Sequence, residues 1–336
     1  MPVGTLAAAA VPGGDAVARA RRPHCAPLFA FILLLAALLA GGCASPSPRL
    51  PAQPAAGLPN RVELVDTPFF HDDSHFCGPA ALATSLSAAG LPSRPEELVG
   101  HVFLPGREGS LQIEMLAGAR RSGAVATLIP GTVEALLREV AAGHPVIVLQ
   151  NLGLSWAPSW HYAVVVGYDL DAGEILLRSG PMKRQVLSLR TFEHTWKRSE
   201  HWAFVTLPPG QLPLTATEAD ATAALIAFER SAHPISAALA YRSGLQRWPR
   251  SYALEMGLGN VLHAAGDLAG AEAAFGRAAD AHDQAAAHNN RARVLLELGR
   301  SAEARQAAER GLAVAGPLRA TLLDTLRAID TSIAAH

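Results

Sequence analysis

The sequence predicts an α+β domain followed by an all-α domain of repeated helix pairs. Three observations predict it. Across residues 60–210, helical periodicity comes first and short β-rich runs come second, an order expected of helices packed on an antiparallel sheet. Around Pro208-Pro209-Gly210 and Pro213 the strands stop. Beyond them the chain is Ala-rich and helical, with small residues recurring at a near-constant interval. At 336 residues there is room for both parts. A formal net charge of −1 supplies no field toward polyanions, so nucleic-acid binding is not expected.

Residues 1–42 read as an export signal. Arg19, Arg21 and Arg22 precede an apolar run over 28–40, which is shorter than the roughly 20 residues that span a bilayer. The run ends in Ala40-Gly41-Gly42-Cys43. This motif resembles the lipobox of bacterial lipoproteins, with Ala40 where Leu is usual. The resemblance implies cleavage before Cys43 and lipidation there. Ala44 follows instead of the Asp that retains such proteins at the inner membrane, so the expected location is the outer membrane, facing the periplasm. Residues 43–59 read as a Pro-rich tether.

In the α+β part, helices are expected near 78–90, 93–101, 110–122 and 132–142. The second carries Ser93 three residues before Glu96, a capping-box spacing, with Pro95 in the first turn. Gly143 suits the C-terminal stop of the fourth. Strands are expected at 145–150, 162–166, 175–178 and 202–207. Asp169 and Asp171 belong to the turn between the middle pair and read as turn residues, not metal ligands.

For residues 215–336, Ala237, Ala271 and Ala304 recur at intervals of 34 and 33. Tyr241, Phe275 and Ala308 follow four residues later, and Gly244, Ala278 and Gly311 seven later. Small residues at fixed helical spacing let paired helices approach closely. Leu258, Gly259, Leu262, Ala271, Phe275 and Ala278 resemble the signature of tetratricopeptide repeats, and Pro249 closes the preceding copy. Three repeats are expected, the first and third degenerate.

The chemistry gathers at few residues. Of three cysteines, Cys25 falls in the signal and Cys43 at the lipobox, leaving Cys77 with no thiol to pair with. Cys77-Gly78-Pro79 stands where a helix should begin. First-turn amides would point at the sulfur, favour a thiolate and later stabilise an oxyanion. Gly78 would keep the approach to the sulfur open. Among thirteen histidines, His161 opens an apolar strand at the sheet rim and suits a general base. His71, His75, His101, His144, His194 and His201 lie in loops or at element ends. Trp156 and Trp160 wall a groove or anchor the loop before His161; both readings stand at this point. No P-loop, zinc or dinucleotide spacing occurs, so neither cofactor nor metal is expected.

Cys-Gly-Pro-Ala-Ala at a helix start and His-Tyr-Ala-Val-Val-Val-Gly-Tyr on a strand resemble the bacteriocin-leader, double-glycine peptidases and their relatives, across about residues 64–207. The resemblance implies a papain-like fold with Cys77 as nucleophile and His161 as base. It also implies an Asp or Asn on the strand after the His and a Gln before the Cys. A turn centred near Leu170 instead puts Ser179, or Gly180 in the neighbouring register, opposite His161. Gln150 and Asn151 end the preceding strand within reach of the ring. Asp72, or His71, takes the place of the oxyanion-helping Gln. The expected function is an envelope lipoprotein cysteine peptidase, or a related acyl transferase. Its partners would be a peptide or protein substrate, a protein recruited by the repeats, and the membrane through Cys43. The alternative is a peptidase-fold scaffold with weak or no catalysis.

Overall fold

The computed structural model describes residues 57–72 and 75–334. The expected signal peptide, Cys43 and most of the tether lie outside these residues. The described residues belong to one compact unit.

The first part runs β1 (Arg61–Glu63), α1 (Cys77–Ala88), α2 (Pro95–Val102), a small ribbon of β2 (Phe103–Leu104) and β3 (Gly109–Ser110), and α3 (Gln112–Arg121). It continues with β4 (Val125–Leu128), α4 (Val133–Ala141), β5 (Val146–Asn151), β6 (Trp160–Asp169), β7 (Glu174–Ser179), β8 (Met182–Ser188), α5 (Leu189–Lys197) and β9 (Ala203–Leu207). The main sheet has the order β4-β9-β5-β6-β7-β8, and β1 pairs with the far end of β6. All its strand pairs are antiparallel.

Both faces of the sheet are covered, and β6 shows how. Its even positions Tyr162, Val164 and Val166 pack with Leu82 and Leu86 of α1. Its odd positions Ala163 and Val165 pack with Leu136 of α4 and Phe192 of α5. The two-residue period of a strand thus feeds two cores. Leu82 and Leu86 are fully buried, each worth roughly 1.5–3 kcal/mol of transfer free energy. That burial fixes α1 against β6 and brings its first residue, Cys77, to the strand's beginning.

The second part contains α6 (Glu218–Glu229), α7 (Pro234–Arg247), α8 (Tyr252–Ala264), α9 (Leu268–His282), α10 (Ala285–Glu297), α11 (Ser301–Ala313) and α12 (Arg319–Ala334). They form three successive antiparallel pairs and a terminal helix. Ala237, Ala271 and Ala304 are buried at equivalent places on the second helix of each pair. A Cβ at Gly259 would fall 2.5 Å from the Phe275 ring, so this glycine sets how closely α8 and α9 pack. The connector between the two parts is tied at both ends. Glu139 of α4 accepts hydrogen bonds from the Thr215 amide and hydroxyl, at 2.5 and 2.7 Å. Arg247 of α7 donates to the carbonyls of Pro213 and Leu214, at 2.7 and 2.6 Å.

Several expectations need correction. The cap of α2 lies one residue later than Ser93: Arg94 is the N-cap and Glu97 reaches back to its amide at 3.2 Å. Ser93 instead bonds Ser87 and the Leu91 carbonyl. Trp160, not His161, opens β6. β1, the β2–β3 ribbon, β4, β8 and α5 were not anticipated. The reason is visible in β8, Met-Lys-Arg-Gln-Val-Leu-Ser, whose residues are mostly exposed at the sheet edge and carry little hydrophobic pattern. Gly143 does end α4 with a positive φ of 89°, as its position suggests.

Candidate active site

Cys77 is the first residue of α1, and its sulfur lies against β6. The backbone amides of Tyr162, Gly78 and Cys77 itself lie close enough to the sulfur to favour its thiolate. Tyr162 is the residue after His161. The helix start and the strand start therefore meet, as expected, through main chain first.

Their side chains share one space. Cys77 and His161 both line a cavity of ≈ 780 Å³. One wall comes from 107–112, at and beyond the β2–β3 ribbon, and the other from the loop joining β5 to β6. No hydrogen bond links the sulfur to the ring. His161 Nε2 instead sits 2.9 Å from Ser179 Oγ, which orients the ring and leaves Nδ1 for chemistry.

The Ser179 contact forms by a different register from the one expected. Val164 pairs with Arg178, and the register shifts between Val165 and Gly167. Continued past Arg178, this alignment sets Ser179 opposite Ala163, so His161 and Ser179 are diagonal neighbours on one face. Diagonal pairs of this kind remain within side-chain reach. Gln150 and Asn151 do not bond the ring. Gln150 is directly opposite His161, but its amide donates to Thr195 Oγ1 at 2.6 Å. Asn151 Oδ1 accepts from Gly153 and Ser159 amides at 3.0 and 2.9 Å.

Asp72 is buried next to the same pair. Its amide donates to the Gly180 carbonyl at 3.1 Å. Together with Cys77, Ser179 and Gly180 it borders a small void behind the sulfur. The electrostatics follow from this crowding. Burial pushes the Cys77 thiol up and the Asp72 charge adds to that rise, outweighing the three amides. Burial pushes the His161 imidazole down, against the opposing pull of Asp72. Desolvation thus opposes the thiolate-favouring effect expected of the helix start, and both shifts favour the neutral forms.

Gly78 also has a different job from the one expected. A Cβ there would collide with Ser110 Oγ, so the missing side chain admits the β2–β3 ribbon against the start of α1. Tyr162 OH donates to the Ser110 carbonyl at 3.2 Å and holds the ribbon from the strand side. Tyr162 follows the His in sequence, yet nothing in the sequence assigned its amide to the sulfur.

Of the other histidines, His75 lines the cavity. His144 pairs with Glu139 at 2.7 Å, His194 with Arg198 at 2.8 Å, and His201 with Glu193 at 3.3 Å. His71 and His101 lie outside the cavity lining. Trp156 and Trp160 are not buried anchors: they are 83 % and 52 % exposed, and Trp160 lines the cavity. Among the described residues no group of His, Cys, Asp and Glu is placed to hold a metal ion.

Comparison with known proteins agrees with the geometry. Residues 62–204 match the family model described as the Peptidase_C39 like family. This region is a C39-like peptidase domain of mixed helix and antiparallel sheet. Among solved structures, the chain is similar to a candidate C39-like peptidase from Bacillus anthracis. That likeness has 17 % identity and a TM-score of 0.37, covering 44 % of this chain and 97 % of that one. No curated protein matches.

Proposed function

We propose that this protein is a cell-envelope cysteine peptidase that cleaves peptide bonds through Cys77 and His161. The observation that supports it most is that Cys77 and His161 line one cleft, with His161 Nε2 held 2.9 Å from Ser179 Oγ.

In this reading the resting pair is thiol and imidazole, and His161 acts as general base during attack. With Nε2–H donating to Ser179 Oγ, Nδ1 carries the lone pair. As Sγ bonds to the substrate carbonyl carbon, the thiol proton passes to Nδ1. The amides of Cys77 and Gly78, at the start of α1, donate to the oxyanion. The C–N bond then breaks and the leaving amine takes the proton from His161. Water gives its proton to the same ring as its oxygen bonds to the thioester carbon; the C–S bond then breaks and the proton returns from His161 to the Cys77 sulfur. An acceptor amine in place of water makes the reaction an acyl transfer.

The chain's other parts complete the reading. Lipidation of Cys43 anchors the protein to the outer membrane, facing the periplasm. The helix pairs act as tetratricopeptide-like repeats that recruit a protein substrate or partner on their surface.

A second reading, a peptidase-fold scaffold with weak or no catalysis, draws on Asp72. An ionised carboxylate accepts hydrogen bonds and cannot donate one to an oxyanion. Its charge also disfavours the thiolate.

Incubating the full chain with a quenched-fluorescent peptide mixture separates the readings. New amino termini that disappear in Cys77→Ala and fall at least about a hundredfold in His161→Ala support the peptidase. Cleavage that survives Cys77→Ala, or no cleavage by the wild type, contradicts it. A palmitate analogue incorporated in cells, and lost in Cys43→Ser, tests the anchor.

A further inference from the structure

We infer that the cleft takes an extended peptide with a large apolar side chain beside the bond that Cys77 attacks, and that the hairpin at 151–160 selects for it. The inference rests on the peptidase reading and names its substrate class.

The hairpin carries unusual exposure. Leu152, Leu154, Trp156 and Trp160 are 53, 53, 83 and 52 % exposed. Across the cleft, Leu111 is 38 % exposed. Isolated exposed apolar side chains are ordinary, but a cluster at the mouth of a cleft marks a binding surface. Leu152, Trp160 and Leu111 line the cavity that holds Cys77 and His161, while Leu154 and Trp156 continue the strip outward along the hairpin.

The strip is also held in a fixed shape. The Leu152 amide donates to the Ser159 carbonyl at 2.8 Å, and Leu154 and Ala157 exchange amide–carbonyl bonds at 3.0 and 3.1 Å. Arg198, just past α5, donates to the carbonyls of Asn151 and Gly153 from beneath. A Cβ on Gly153 would overlap the Ala157 carbonyl, so the turn closes only around glycine. A surface this well braced is preorganised, and binding on it loses little entropy to ordering the loop.

The lining favours a peptide over a lipid surface. Arg107, Glu108, Arg198 and Glu200 border the same cavity. Under a bilayer these mixed charges would be desolvated, at a large cost. A peptide brings amide donors and acceptors for them along with its apolar side chain.

The test uses two vinyl sulfone probes on the full chain, one built on Gly-Gly-Leu and one on Gly-Gly-Ser. Each traps Cys77 when Sγ bonds the vinyl carbon and the thiol proton ends on the adjacent carbon. Iodoacetamide serves as a probe too small to touch the hairpin. The Leu probe should label at least about tenfold faster than the Ser probe. Trp160→Ser should collapse that ratio toward unity, and Trp156→Ser should lower it less. Equal rates for the two probes in the wild type overturn the inference and leave the peptidase reading standing. No adduct from either probe while iodoacetamide still reacts brings down both. In the unlipidated Cys43→Ser chain, flotation with phosphatidylethanolamine–phosphatidylglycerol vesicles that is lost in Trp156→Ser, with the probe ratio kept, would assign the hairpin to the membrane, also overturning the inference.

Discussion

The α+β part and the helical part bury their polar groups for different ends. In the helical part, buried polar residues close packing gaps between neighbouring helices: Glu255 pairs with Arg277 at 2.7 Å, and Thr325 bonds Asn289 at 2.8 Å. In the α+β part a group of them gathers around one cleft. Asp72, Gln150, Asn151, Ser179 and Ser199 are all buried around the start of β6 or the hairpin before it. A repeated helix pair spreads its stability over many equivalent contacts, whereas the cleft concentrates desolvated polar atoms where each affects its neighbours' protonation. The first part should therefore lose chemistry without losing its fold, and the second should lose fold without losing chemistry.

The sharpest way to break that contrast is His161→Ala. The loss of the base should cut peptide cleavage at least about a hundredfold, while thermal unfolding stays within a few degrees of the wild type. Unfolding at a much lower temperature would mean the ring is mainly structural. Glu139→Ala tests the junction between the two parts. It strips the buried acceptor from the Thr215 amide and from His144, and should cost about 3 kcal/mol in denaturant unfolding. Burial alone would push the Glu139 carboxyl up, but its bonds to His144 and Thr215 outweigh that and hold it below the usual range. Its contribution is present above the ordinary carboxylate pKa and is lost as pH falls through the lowered value. Wild type and variant should therefore converge in stability at strongly acidic pH.

Gly259→Val is the converse case. A side chain driven into the Phe275 ring should destabilise the helical part by roughly 1–3 kcal/mol and leave the rate of Cys77 alkylation unchanged. Altered alkylation would show that the two parts are coupled at the site. The smallest effect is expected from Asp72→Asn. Removing a charge that raises the Cys77 thiol should move the alkylation inflection toward acid. A shift toward alkali would contradict the placement of that charge.

The same contrast explains what the sequence disclosed. Ala237, Ala271 and Ala304 mark helix positions because packing helices at a fixed interval leaves a periodic trace. Cys77 and His161 stood out because a helix start and an apolar strand are local patterns. The protonation state was hidden, because it depends on burial by residues such as Tyr162 and Asp72 that meet only in three dimensions. The sequence placed Ser179 opposite His161 through a simple hairpin count, but the register shift at Val165 and Gly167 moves the pairing and leaves a diagonal contact. Trp156 and Trp160 were ambiguous because hydrophobicity alone does not distinguish a buried anchor from an exposed wall.

The central claim is that a neutral thiol rests beside a neutral imidazole and is deprotonated only during attack. Iodoacetamide alkylation of Cys77, followed by mass spectrometry from about pH 5 to pH 10, tests it in the native chain and in His161→Ala. The account predicts a single rise in rate, centred above the pKa of an ordinary cysteine, with little reaction near neutrality in either protein. A fast plateau reaching down into mildly acidic pH, present in the wild type and absent in the variant, would reveal a preformed thiolate–imidazolium pair and contradict it.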